Sequence, residues 1–152
     1  DRLTDHDPTR KVEGRDERVL SRAQLRASVL RDLTWLFNST NLAGSVDLSA
    51  YPLAAESTLN YGLAPLAGNP VASLDLHEVE RILKEAIQRF EPRILPDSLT
   101  VKGIAASDPT SHHNVISFEI SGELWAQPYP VDLLIKTDMN LESGEIRIAE
   151  AR

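Results

Sequence analysis

Glu91, Pro92 and Arg93 are consecutive residues, and they carry the most pointed chemistry in the chain. A proline fixes its own φ and pushes the residue before it out of the helical region. Side chains two apart on an extended segment point the same way. The spacing predicts a carboxylate and a guanidinium projecting together from a rigid step. Such a pair can wait for a partner, orient a local ion-pair network, or be a helix stop with two solvated charges. The residues alone leave all three open.

Other chemistry is thinner. A glycosidase needs two carboxyl groups roughly 5–9.5 Å apart across a cleft. Glu91, Asp97, Glu119, Glu123 and Asp132 are available, but among 23 acidic residues some such pair arises by chance. Adjacent His112 and His113 can ligate a metal, yet only Asp108 stands near them, and the stretch reads as a solvated loop. His77 lies in the first turn of a helix and His6 in a charged leader; neither has a serine or aspartate at a suggestive spacing. No serine sits in a G-x-S-x-G elbow. No glycine-rich phosphate cradle occurs. The chain has no cysteine, which excludes a thiol nucleophile and a disulfide framework. The reading is of a protein with no catalytic residues, no cofactor and no metal. With 16 basic residues against 23 acidic, the net charge is −7, which disfavours nucleic acid. No apolar run approaches the roughly 18 residues that span a membrane.

The elements that must position these groups are legible in the periodicity. Residues 1–18 hold five basic and six acidic residues and little that is apolar, so they read as a mobile arm. Residues 19–152 read as one domain. Ser21 and Gln24 fit a capping box, with Leu20 and Leu25 as its hydrophobic staple. Leu25, Val29, Leu33 and Leu36 then recur at helical spacing, and Asn38 to Asn41 ends the helix. Tyr51 to Leu59 reads as one short helix capped by Asn60, Tyr61 and Gly62, inside an irregular stretch. Asp75 and Glu78 signal a second strong helix, with Leu74 and Val79 as staple. Its apolar face runs Leu76, Val79, Ile82, Leu83, Ala86, Ile87 and Phe90, and Pro92 stops it.

From Ser98 the period changes to two. Leu99 and Val101 open a first strand. Ile116 to Leu124 alternates through a second, Val131 to Ile135 through a third, and Ile146 to Ile148 through a fourth. Short connectors favour an antiparallel meander. The predicted fold is α+β, with N-terminal helices packed on one face of a mostly antiparallel sheet of about four strands. A meander leaves two edges, which proteins either protect or use to capture a partner's strand. Lys102 can guard the first, and little chain follows the last strand to cover the other.

Several segments together resemble a known family. They are Ser28 to Ser39, Ser57 to Leu63, Phe90-Glu91-Pro92-Arg93-Ile94, and the terminal strand pattern with Ser143-Gly144-Glu145-Ile146. Over about residues 19–150 the order resembles the TssE family of type VI secretion baseplate proteins, and the related wedge protein of contractile phage tails. The resemblance implies a structural part rather than an enzyme. It would sit beside the wedge proteins TssF and TssG, on a baseplate assembled in the cytoplasm at the inner membrane of a Gram-negative bacterium. It would link the wedge core to the first ring of the contractile sheath proteins TssB and TssC, with a sheet edge as template for strand addition. The family's glutamate and arginine fall on Glu91 and Arg93, either side of Pro92, as partner-binding residues. The family has also carried a lysozyme label. A peptidoglycan-cleaving enzyme, or a wedge protein of a phage tail or other injection particle, are the alternatives.

Overall fold

The computed structural model describes Thr9 and residues 21–65, 75–104 and 115–150. The remainder of the charged leader, Leu20, Leu74 and the His112-His113 loop lie outside the described residues.

Helix α1 spans Arg22–Phe37 and starts as its capping box requires. The Gln24 N–H donates to the Ser21 hydroxyl at 3.2 Å, and the Ser21 N–H donates to the Gln24 side chain at 2.9 Å. Two of the orphan donors of the first turn are thereby satisfied. Val29, Leu33, Leu36 and Phe37 are buried, and Leu25 is partly so.

Helix α2 covers only Pro52–Glu56, shorter than the Tyr51 to Leu59 span that the sequence suggests. Ser57 takes an extended ψ of 173°, which breaks the helix. Its hydroxyl accepts the Leu59 N–H, so the chain continues as a 3₁₀ turn over Thr58–Asn60. Gly62 then adopts φ 113°, with the Ser39 carbonyl oxygen 2.3 Å from where a Cβ would be. Only glycine fits this close, left-handed approach. It lets the Leu63 N–H donate to Ser39 O and the Asn41 N–H to Leu63 O, docking the segment on the end of α1.

Helix α3 spans Leu76–Phe90 and buries Val79, Leu83, Ala86 and Ile87. Asp75 caps it by accepting the His77 N–H at 3.0 Å. The reciprocal half of a capping box is missing, because the Glu78 carboxylate is held by Arg81 instead.

Four strands follow: β1 (Thr100–Ile104), β2 (Val115–Leu124), β3 (Val131–Asn140) and β4 (Ile146–Glu150). They pair antiparallel in sequence order, so the α+β meander expected from the sequence is the fold. Strand β3 runs further than its apolar alternation suggests. Thr137 interrupts the pattern, yet it is 1% exposed, with its hydroxyl on the Phe118 carbonyl oxygen. Both long helices pack on one face of the sheet, α3 over β1 and α1 over β4, around Phe118, Ile120, Ile135 and Met139. The opposite face is mostly polar, with Ile104 and Leu134 among its apolar residues. Register places Lys102, Glu119 and Lys136 in one cross-strand row and Ser117, Asp138 and Arg147 in the next.

Candidate functional site

Glu91 is the C-cap of α3, its N–H donating to Ile87 O at 2.8 Å. The next residues are not the extended step that two-residue spacing suggests. They form a turn closed by the Ile94 N–H donating to Glu91 O at 3.2 Å. Proline at the second position suits such a turn, because its fixed φ is already correct there. The turn is also stitched to the sheet. The Trp125 N–H donates to Arg93 O at 2.7 Å, and the Leu95 N–H donates to Glu123 O at 2.8 Å.

The turn still brings the two charges together. Arg93 Nε donates to Glu91 Oε1 at 2.6 Å, and Nη2 bonds Glu91 Oε2. The Arg93 backbone N–H adds a bond to Glu91 Oε1 at 3.2 Å. The guanidinium then reaches α1. Nη1 donates to the Ser28 hydroxyl at 3.1 Å, and Nη2 to Asp32 Oδ2 at 2.5 Å. Asp32 is held from its other side by Arg31, with Nε 2.9 Å and Nη2 2.7 Å from Oδ1. Glu91 is only 3% exposed, whereas the Arg93 side chain is 32% exposed. A buried carboxylate requires such a partner, since an unpaired one would carry a large desolvation cost.

The charges shift their neighbours in the expected directions. Arg93 is pushed further above its ordinary value by its bond to Glu91, with burial opposing and Asp32 assisting. Burial raises the Asp32 carboxyl, but the bonds from Arg31 and Arg93 outweigh it, and its pKa falls. Tyr61 is raised by burial and by the negative charge of Asp32 and Glu91. Its hydroxyl donates to the Asp32 carbonyl oxygen at 3.3 Å, and its ring meets Phe90 edge-on at 5.2 Å.

A groove of about 310 Å³ opens above this network, lined by Arg31, Asp32, Trp35, Tyr61, Phe90, Glu91 and Arg93. Trp35 stands 59% exposed on its wall, with the Arg31 guanidinium 4.9 Å from the ring centroid. A large exposed aromatic stacked with arginine is the composition found at the energetic centres of protein interfaces.

Sequence reasoning paired Glu91 with Arg93 and missed Ser28 and Asp32. A signal existed: the two lie four apart on α1, on the border of its buried stripe, where polar side chains need partners. The other candidate carboxylates are elsewhere. Asp97 is exposed in a 3₁₀ turn after the site, Glu119 lies on the outer face of β2, and register sets Glu123 opposite Asp132. His77 is exposed and pairs with Glu80. Among the described residues, no group of three or more histidines and carboxylates stands close enough to hold a metal ion. No helix among them is long and apolar enough to cross a membrane.

A comparison with protein-family models matches residues 23–129 to the family described as baseplate wedge protein gp25. No curated protein and no solved structure matches the chain. The matched residues run from the second residue of α1 through α2, α3, the Glu91 to Arg93 turn, β1 and β2, so they take in Ser28, Arg31, Asp32, Glu91 and Arg93 of the charged network. The chain belongs to the baseplate wedge protein gp25 family.

Proposed function

We propose that this chain is a non-enzymatic structural part of a type VI secretion baseplate wedge. In this reading it sits beside TssF and TssG in the cytoplasm, at the inner-membrane face of the envelope. It joins the wedge core to the first ring of the sheath proteins TssB and TssC and templates that ring by strand addition. Residues 19–152 form the assembling domain, and the charged residues 1–18 form an arm.

The observation that carries the reading is the charged turn at Glu91, Pro92 and Arg93. Its guanidinium is committed to Glu91, Ser28 and Asp32, and an aromatic-walled groove opens beside it. A general acid must release a proton to a substrate, whereas both oxygens of Glu91 are occupied by Arg93. That arrangement favours a shaped contact surface over catalysis. The exposed Pro92, the outer part of Arg93 and Trp35 present it to the wedge core.

Co-purification with TssF and TssG tests the reading. Wild type should form a stable complex, and Trp35→Ala should lose it while melting normally. Purified cell wall should remain intact when this protein is added alone. No complex with the wedge proteins, or lysis of cell wall abolished by removing one carboxylate, would overturn it.

A further inference from the structure

Over most of the sheet, polar groups are matched. Glu80 Oε1 accepts the Gly103 N–H of β1 at 2.7 Å. The Asn38 side-chain amide donates to Ile146 O of β4 at 2.8 Å and accepts the Ile146 N–H at 2.9 Å. On the outer face, register sets Glu119 between Lys102 and Lys136. Asp138 accepts the Ser117 hydroxyl at 2.6 Å and shares its row with Arg147. The row nearest the β2–β3 hairpin is different. It holds Glu123 and Asp132 alone, because β1 pairs no further than Thr100 with Ser121, and β4 no further than Glu150 with Ile135. Neither carboxylate has a hydrogen bond or ion pair among the described residues.

Two residues beyond Glu123 stands Trp125, 61% exposed, and Tyr129 in the hairpin is 71% exposed. Alternation places Trp125 on the outer face with Glu123, about 7 Å further along the strand. Among the described residues a cation stacks on Trp35, and none on Trp125. The backbone beneath is fixed. The Ser98 hydroxyl accepts the Glu123 N–H at 2.8 Å. The Leu95 N–H donates to Glu123 O at 2.8 Å, and the Trp125 N–H to Arg93 O at 2.7 Å. A surface held in this way pays little ordering entropy on binding. Left bare, it is unfavourable, since like charges directly opposite each other repel.

We infer that this end of the outer face docks an extended basic segment of a partner protein, with one arginine or lysine between Glu123 and Asp132 and a second, two residues away, over the Trp125 ring. Charge and spacing point to that occupant. A cation between two carboxylates turns their repulsion into attraction. Alternate side chains of an extended peptide recur about every 7 Å, the interval from Glu123 to Trp125. Arginine suits both positions better than lysine, because its planar fork binds carboxylates bidentately and stacks on aromatic faces. Residues 1–18 of this chain hold six acidic against five basic residues, so they lack the net positive charge that the surface calls for. The surface is also separate from the Trp35 groove, which opens between α1 and the end of α3. The inference therefore does not depend on the wedge-core contact.

Titration of the isotope-labelled full chain with a capped peptide of alternating serine and arginine tests it, read by nuclear magnetic resonance. The indole N–H of Trp125 and the amides of Glu123 and Asp132 should shift, while those of Glu78 and Glu85 on α3 stay in place. Replacing arginine by citrulline keeps the shape, removes the charge and should weaken binding about tenfold. Moving the same number of arginines to every third residue should weaken it severalfold. Trp125→Ala, and Glu123→Gln combined with Asp132→Asn, should each cost about tenfold in affinity. The double variant should melt no lower than wild type and still co-purify with TssF and TssG. Equal binding of the citrulline peptide, shifts centred on other acidic residues, or no shift at all overturns the inference and leaves the wedge reading standing. The peptide comparisons use the wild-type chain, so they decide the question even if a variant does not fold.

Discussion

Arg93 and Asp32 are 61 positions apart in sequence and 2.5 Å apart in space. That contact ties the turn after α3 to the middle of α1. Glu91 closes on the same guanidinium from the other side. The planar fork of arginine can serve both carboxylates and the Ser28 hydroxyl at once, which a lysine ammonium on its flexible stem cannot. The site is therefore a clamp holding two helices and, through the Arg93 carbonyl and Trp125, the end of β2.

Breaking the clamp should be asymmetric. Arg93→Ala leaves the buried Glu91 carboxylate without a counter-charge, which costs about 3–5 kcal/mol for a fully buried group. Glu91→Gln keeps the shape and part of the hydrogen bonding, so it should cost about 1–2 kcal/mol. For a chain of this size each kcal/mol moves the melting temperature by about 2–4 °C. Arg93→Lys should recover less than half of the loss. A thermal melt of Arg93→Ala that overlays wild type would remove the clamp from the account.

The clamp also predicts an acid limit. The folded Asp32 carboxyl titrates below its unfolded value, which is about 3.9. Its contribution is therefore present above that value and lost as the pH falls through the depressed folded one. Stability from this group should be flat from pH 7 to about pH 5 and should decline below about pH 4. His77, raised by Glu80, works in the opposite sense and loses its small contribution as the pH rises above about 6.5. Urea midpoints between pH 3 and pH 7 check this: Asp32→Asn should have a shallower acid limb than wild type. Superimposable limbs would contradict it.

The same residues show what a sequence can reveal. The caps of α1 and α3, the change to a period of two at Ser98 and the stop at Pro92 are local signals, and each marks an observed boundary. Thr137 hides the second half of β3 because its burial depends on a hydrogen bond to another strand, which periodicity does not encode. Ser57 ends α2 by a local hydroxyl bond that competes with the helix. At the site, the pairing of Glu91 with Arg93 is visible because they are neighbours, although a turn rather than an extended step produces it. Asp32 and Asn38 act on partners 61 and 108 residues away, so nothing near them in sequence announces their roles.

Two glycines should respond differently to alanine. At Gly62 the obstacle is the Ser39 carbonyl and the φ is 113°, so neither neighbour nor backbone can yield. Gly62→Ala should cost about 2–4 kcal/mol, beyond the ordinary price of a misplaced side chain. At Gly103 the obstacle is the end of the Leu76 side chain. Gly103→Ala should cost about 1–3 kcal/mol as overpacking, and Leu76→Ala in the same chain should recover part of it. Urea unfolding of the two single variants and the double variant checks both. Additive losses for Gly103→Ala and Leu76→Ala would show that the contact is not the cause.

Glu123 and Asp132 stand directly opposite each other on β2 and β3. Like charges in that position repel, by about 0.2–1 kcal/mol relative to a neutral pair. Asp132→Asn should therefore stabilise the protein by about 0.5 kcal/mol at low ionic strength, and the gain should shrink as salt screens the pair. The same substitution separates the two functional readings. In a hydrolase that used this pair, losing one carboxylate would abolish cell-wall cleavage. In a wedge component the pair carries no chemistry, and Asp132→Asn should assemble with TssF and TssG as wild type does while unfolding at slightly higher urea. A variant that is less stable than wild type would mean that the carboxylate has a favourable partner that outweighs Glu123.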